Sequence, residues 1–134
     1  MCEGVIFLKA SEFLNFKNWV VVGDVLNSSK YAYKILKALK DNDYKVEGVN
    51  PKVEDGQCYR ELKDVPYEIE VLDLCIHPKR GIDIVKAAKD LGIKNILIQP
   101  GAESDEILSY CSENSLNAIQ GCALVELRKQ GKIS

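Results

Sequence analysis

Side chains able to hold or transform a ligand gather in short runs of this sequence, the first being Gly23 to Lys30. There Gly23 ends an apolar stretch and Ser28, Ser29 and Lys30 follow. Two hydroxyls and an ammonium beside a helix start supplement free backbone N–H groups and the positive end of the helix dipole, a combination that suits a phosphate or pyrophosphate. The competing structural reading is a tight turn needing positive φ and a capped helix with a solvated lysine. Only Gly23 is glycine and Val25 stands in the place of a second, so the run falls short of the full dinucleotide-binding fingerprint.

The second run, Asn50-Pro51-Lys52, bears on which nucleotide would fit. An NAD-binding unit presents Asp or Glu about 20 residues past its glycine turn to accept the ribose hydroxyls. Here a cation stands at that place without an acid, which favours a ribose phosphate, as in NADP or coenzyme A. The apolar ring of Pro51 offers a surface for adenine, or simply makes a rigid turn. Two further runs, Ile76-His77-Pro78 and Gln99-Pro100-Gly101, complete the set.

Candidates for covalent or proton chemistry are few. His77 is the sole histidine and an acid/base candidate, but no partner for it is evident, so a loop residue or ligand contact is the expectation. Asp73, inside an apolar run, is either a buried carboxylate with a raised pKa or, as expected here, a helix cap or edge residue. Cys75 and Cys122 read as small core residues in preference to reactive thiols. The five cysteines contain no Cys-x-x-Cys pair, so reduced thiols and no metal site are expected. No catalytic residue is assigned.

These runs need elements to position them. Trp19 to Val22 reads as a strand buried on both faces, and Ala32, Ile35, Leu36 and Leu39 mark one face of a helix that Ser28 or Ser29 can cap. Val46 to Val49 follows as a second strand, making a βαβ unit. Ile69 to Ile76, Asn95 to Gln99 and Leu116 to Ile119 read as three more strands. Helices are expected after Pro78, from Ser104, and within Gly121 to Ser134. Phe13, Leu14 and Phe16 suggest a short N-terminal helical segment, with Met1 to Glu3 loose. Val53 to Pro66 reads as a connection with one short helix at Tyr59 to Asp64 and little core of its own.

The alternation predicts an α/β fold: a Rossmann-like domain spanning residues 1–134, with its core over about 17–127 and an open, mainly parallel five-stranded sheet carrying helices on both faces. Ligands of such sheets lie at the carboxyl ends of the strands, where the four runs fall. With 134 residues, 46% of them hydrophobic, the chain can bury a core without staples. A formal net charge of -2 argues against nucleic acid. Apolar runs are too short to span a membrane and the N-terminus lacks signal-peptide organisation, so a cytoplasmic location is expected. Apolar residues near the C-terminus are candidates for a homodimer contact.

The pattern resembles the small stand-alone CoA-binding proteins, which share the fold of the CoA-binding domain at the start of the succinyl-CoA synthetase alpha subunit. The resemblance covers about residues 17 to 127. It rests on Val21-Val22-Gly23 through Ser29-Lys30 to Tyr44 and Val49-Asn50-Pro51-Lys52, on Gly56 with Cys58-Tyr59, Leu62 and Val65-Pro66, on Val71 to Pro78, and on Gln99 and Cys122. It implies that the backbone near Gly23 and Val25, with Ser29 and Lys30, holds a pyrophosphate. Asn50, Pro51 and Lys52 would face the adenosine 3′-phosphate end, Ile76, His77 and Pro78 would border the adenine or pantetheine, and Gln99 and Gly101 would line the far side. The implied ligand is coenzyme A or an acyl-CoA, held by a non-enzymatic sensor, carrier or regulatory module. In the ligase relatives the phosphorylated histidine and nucleotide-hydrolysing machinery belong to other domains.

The sequence departs from the family pattern in places. Gly23-Asp24-Val25 replaces the usual Gly-Ala-Ser, so a hydroxyl is lost and a carboxylate gained; Ala32 stands for a common serine. Ile76-His77 replaces a Phe-Arg-type pair, and Ile98 an aromatic. Two other readings stay open: an NADP-dependent redox component with Lys52 on the 2′-phosphate, and a Rossmann-like interaction module that has lost its ligand.

Overall fold

Trp19, Val20, Val21 and Val22 are fully buried and form the centre of β1 (Asn18–Gly23). The computed structural model describes residues 8–53 and 56–134; Met1 to Glu3, with Cys2, lie outside these, as does part of the Val53 to Gln57 connection. Around β1 the chain lays β2 (Lys45–Val49), β3 (Val71–Cys75), β4 (Asn95–Ile98) and β5 (Asn117–Gln120) in the order β2-β1-β3-β4-β5, every pair parallel. The expected five-stranded α/β sheet is therefore present, all-parallel, with its order reversing between β1 and β3.

The two faces of β1 explain how the helices divide. Val20 and Val22 point with Leu72, Leu74, Ile96 and Ile98 to one side, where α3 (Pro78–Asp90) and α4 (Asp105–Glu113) supply Ile84, Val85, Ala88, Ile107 and Cys111. Trp19 and Val21 point with Val71 and Leu97 to the other. That side is covered by α1 (Ala10–Phe13), α2 (Tyr31–Asp41) and α5 (Ala123–Lys129) through Phe13, Ala32, Ile35, Leu39, Ala123 and Leu127. The N-terminal segment is tied down by Trp19 Nε1–H donating to the Phe16 carbonyl at 2.8 Å and the Tyr44 hydroxyl donating to that of Leu14 at 2.7 Å.

Local expectations were corrected in three places. Neither Ser28 nor Ser29 caps α2: the helix starts at Tyr31 after Lys30, with no side-chain cap. The Ser29 hydroxyl and N–H both donate to Asn27 Oδ1, at 2.7 and 3.0 Å, so an Asx-type turn has captured the serine instead. The segment before β3 has more core than expected. Leu62 and Val65 are buried and Tyr59 makes a parallel bridge to Val49, while the helix there shrinks to a single 3₁₀ turn, Leu62–Asp64. Asp73 neither caps a helix nor lies at an edge, being fully buried in the central strand β3 between Val21 and Leu97.

Candidate functional site

Gly23 ends β1 where the strand order reverses, and it has to be glycine for reasons of contact: a Cβ there would sit 2.7 Å from the Cys75 carbonyl oxygen at the end of β3. This close approach lets the ends of β1 and β3 form the floor of a cleft of about 670 Å³ at the carboxyl edge of the sheet. Of the residues singled out from the sequence, Gly23, Lys30, Asn50, Lys52, Ile76, His77, Gln99 and Gly101 line it.

The walls are held by specific bonds. Asn50, buried at the end of β2, receives the Lys52 N–H on Oδ1 at 3.0 Å and gives its own N–H to the Tyr59 carbonyl at 2.9 Å, which fixes the turn carrying the exposed Lys52. Gln99 N–H continues the sheet by donating to the Leu74 carbonyl at 3.0 Å. Its Oε1 accepts from the Ala123 N–H at 3.0 Å, so one side chain fastens the start of α5 to the end of β4.

Other predicted residues sit elsewhere. Val25 turns inward, and its N–H donates to the Gly23 carbonyl at 2.9 Å. Its side chain packs over Gly48, where a Cβ would lie 2.7 Å from Val25 Cγ2. Ser29 is exposed but bonded to Asn27. Pro51 lines a different cleft with Glu47, Cys58 and Tyr59, and Pro78 starts α3.

The helix starts at the sheet's carboxyl edge are not alike. His77 caps α3 by accepting the Lys79 N–H on Nδ1 at 3.1 Å, and Ser104 caps α4 by accepting the Ile107 N–H at 3.1 Å. The start of α2 has no side-chain cap, and its Lys30, Tyr31 and Ala32 line the cleft, so its first N–H groups are left for solvent or a ligand. Charge follows the same division. α4 carries Asp105 and Glu106 in its first turn, as a helix dipole favours, whereas α2 and α3 have no acid there. Lys30, Lys52 and Arg80 instead bring cations to the cleft, where Asp24 is the single carboxylate among the described residues.

Arg80 and Tyr31 were missed by sequence reasoning. A signal existed for Arg80: Lys79-Arg80 places cations in the first turn of a helix opened by Pro78, where the dipole disfavours them. Tyr31 is exposed and gave none.

His77 Nδ1 is engaged as a helix cap. Asp73 Oδ1 accepts from the Cys75 thiol at 3.3 Å while Oδ2 has no partner among the described residues; burial pushes its pKa up to about 7, against which the thiol contact works. Burial, with Asp73 beside it, also holds the Cys75 thiol well above its ordinary range, which suppresses thiolate reactivity. Among the described residues no three His, Cys, Asp or Glu side chains gather as a metal site, and no helix is long and apolar enough to cross a membrane.

Comparison with known proteins agrees with this architecture. A conserved hypothetical protein from Pyrococcus furiosus is 34% identical, with 83% of this chain and 99% of that one covered and a TM-score of 0.75. A hypothetical protein from Pyrococcus horikoshii OT3 is 27% identical over 96% of this chain and 98% of its own, with a TM-score of 0.81. At 20% identity the fold also matches the dinucleotide-forming acetyl-coenzyme A synthetase 1 of Ca. Korarchaeum cryptofilum, where 80% of this chain covers 26% of that enzyme with a TM-score of 0.62. Residues 17–128 match the family described as the CoA binding domain. With most of its length matched to that family, the chain belongs to the CoA-binding domain family.

Proposed function

We propose that the cleft binds coenzyme A or an acyl-CoA and that the chain works as a cytoplasmic, non-enzymatic sensor, carrier or regulatory module. The observation that carries the reading is the reversed charge at the two helix starts on the cleft: α2 is uncapped, and cations stand where the dipole favours acids. Phosphate groups would relieve both conditions at once. In this reading the pyrophosphate lies against the first N–H groups of α2, between Lys30 and Arg80. Lys52, held by Asn50, takes the 3′-phosphate. The pantetheine runs past Ile76 toward Gln99 and Gly101. Val25, Ser29, Pro51 and Pro78 act from behind by shaping the turns. A binding role is further supported by His77 serving as a cap and Asp73 lying out of reach of solvent.

Calorimetric titration of the reduced protein with CoA, dephospho-CoA and NADP, beside Lys52→Ala, tests this. CoA should bind at least roughly tenfold tighter than dephospho-CoA, about 1.4 kcal/mol, with the difference lost in the variant. Absence of CoA binding, or tighter binding of NADP, would put the redox or interaction reading ahead.

A further inference from the structure

Tyr31, Gln99 and Pro100 line the cleft at the carboxyl edge of the sheet and also a smaller recess of about 350 Å³. Its opposite wall is the start of α5, with Cys122, Leu124 and Val125, and Arg128 lies at its rim. The Gln99 side chain that bonds to the Ala123 N–H stands between the two spaces and fixes their relative position. This wall is largely apolar, and the recess carries Tyr31 and Val125, 66% and 40% exposed, two of the four exposed large apolar side chains among the described residues, the others being Leu26 and Leu91. Arg128 already donates from Nε to the Ser134 carbonyl at 3.0 Å.

We propose that this recess takes the acyl group of a short-chain acyl thioester of coenzyme A, which makes the acylated form the preferred ligand. The inference rests on the coenzyme A reading of the cleft at the carboxyl edge of the sheet. The recess lies at the lower end of the size range of ligand pockets, too confined for a nucleotide and suited to a few carbons of chain. It shares Tyr31, Gln99 and Pro100 with the cleft, at the end to which the pantetheine is assigned, so a thioester there would present its acyl chain toward Leu124 and Val125.

The test is calorimetry of the full chain with CoA, acetyl-CoA, butyryl-CoA, palmitoyl-CoA and succinyl-CoA, repeated on Val125→Trp, which fills the recess from an exposed position, and on Arg128→Ala. Burial of two more methylenes should make butyryl-CoA roughly tenfold tighter than acetyl-CoA. Palmitoyl-CoA should gain nothing further. Val125→Trp should abolish the butyryl preference and leave CoA affinity within about twofold. Equal affinity for CoA and butyryl-CoA in the parent overturns the acyl pocket while the cleft reading stands, and loss of CoA binding in Val125→Trp overturns it by showing that the recess belongs to the nucleotide site. Tighter succinyl-CoA binding that depends on Arg128 replaces the apolar occupant with an anionic one. Failure of every thioester and of CoA itself removes both readings.

Discussion

Gly23 faces the Cys75 carbonyl so closely that a Cβ on residue 23 would lie 2.7 Å from its oxygen. The contact joins the ends of β1 and β3 at the point where the strand order reverses, so the same approach that closes the sheet also makes the floor of the cleft. Backbone on both sides leaves no flexible group to move aside. Gly23→Ala should therefore destabilise the fold by about 1–3 kcal/mol and weaken CoA binding as well. Denaturant unfolding followed by titration checks both; an unchanged midpoint would show that the strand ends can separate.

Val25 and Gly48 form a second size-matched pair, the valine filling the space that a Cβ on residue 48 would need. Gly48→Ala alone should cost about 1–3 kcal/mol through overpacking, and Val25→Ala alone should cost a similar amount through the cavity it leaves. In the double variant the two defects cancel in part. A double-mutant cycle in denaturant should give a coupling of at least about 0.5 kcal/mol, and additivity would refute the pairing.

Asp73 makes stability depend on pH in the opposite direction from a salt-bridged carboxylate. Its folded pKa, raised to about 7 by burial, lies above the ordinary 3.8, so the folded state binds the extra proton between these values. Stability is fully present below the lower value and is lost as pH rises through the higher, by on the order of 4 kcal/mol across the window. Unfolding measured at intervals over this range should show the fall, and Asp73→Asn, which cannot titrate, should flatten it.

Asp24 and Arg80 line the same cleft with opposite charge. If phosphates bind there, Asp24→Asn should tighten CoA about three- to tenfold by removing repulsion, and Arg80→Ala should weaken it by a similar factor. Both effects should shrink in high salt, because the two side chains are exposed. The same sign of change in both variants would argue against a phosphate site.

Much of this molecule was readable from local pattern. The apolar run Trp19 to Val22, the helical stripe from Ala32 to Leu39 and the stops at Gly92 and Pro100 depend on spacing along the chain, and periods of 2 and 3.6 survive into the folded state. For the same reason Gly23, Asn50, Lys52, Ile76, His77, Gln99 and Gly101 could be placed at strand ends before their neighbours were known, and all of them line the cleft. What the sequence left open were choices between partners of similar energy. Ser29 could accept from the first N–H groups of α2 as a cap or donate to Asn27, and the bond to Asn27 within its own turn won, which left α2 open. Asp73 could face an edge or the interior, and only the strand order, which sets β3 between β1 and β4, buried it. Arg80 and Pro51 show the same limit from the ligand's side: which cleft a turn residue faces depends on the crossing of distant strands, and that is decided by packing both faces of the sheet at once, beyond anything encoded within a few residues of either.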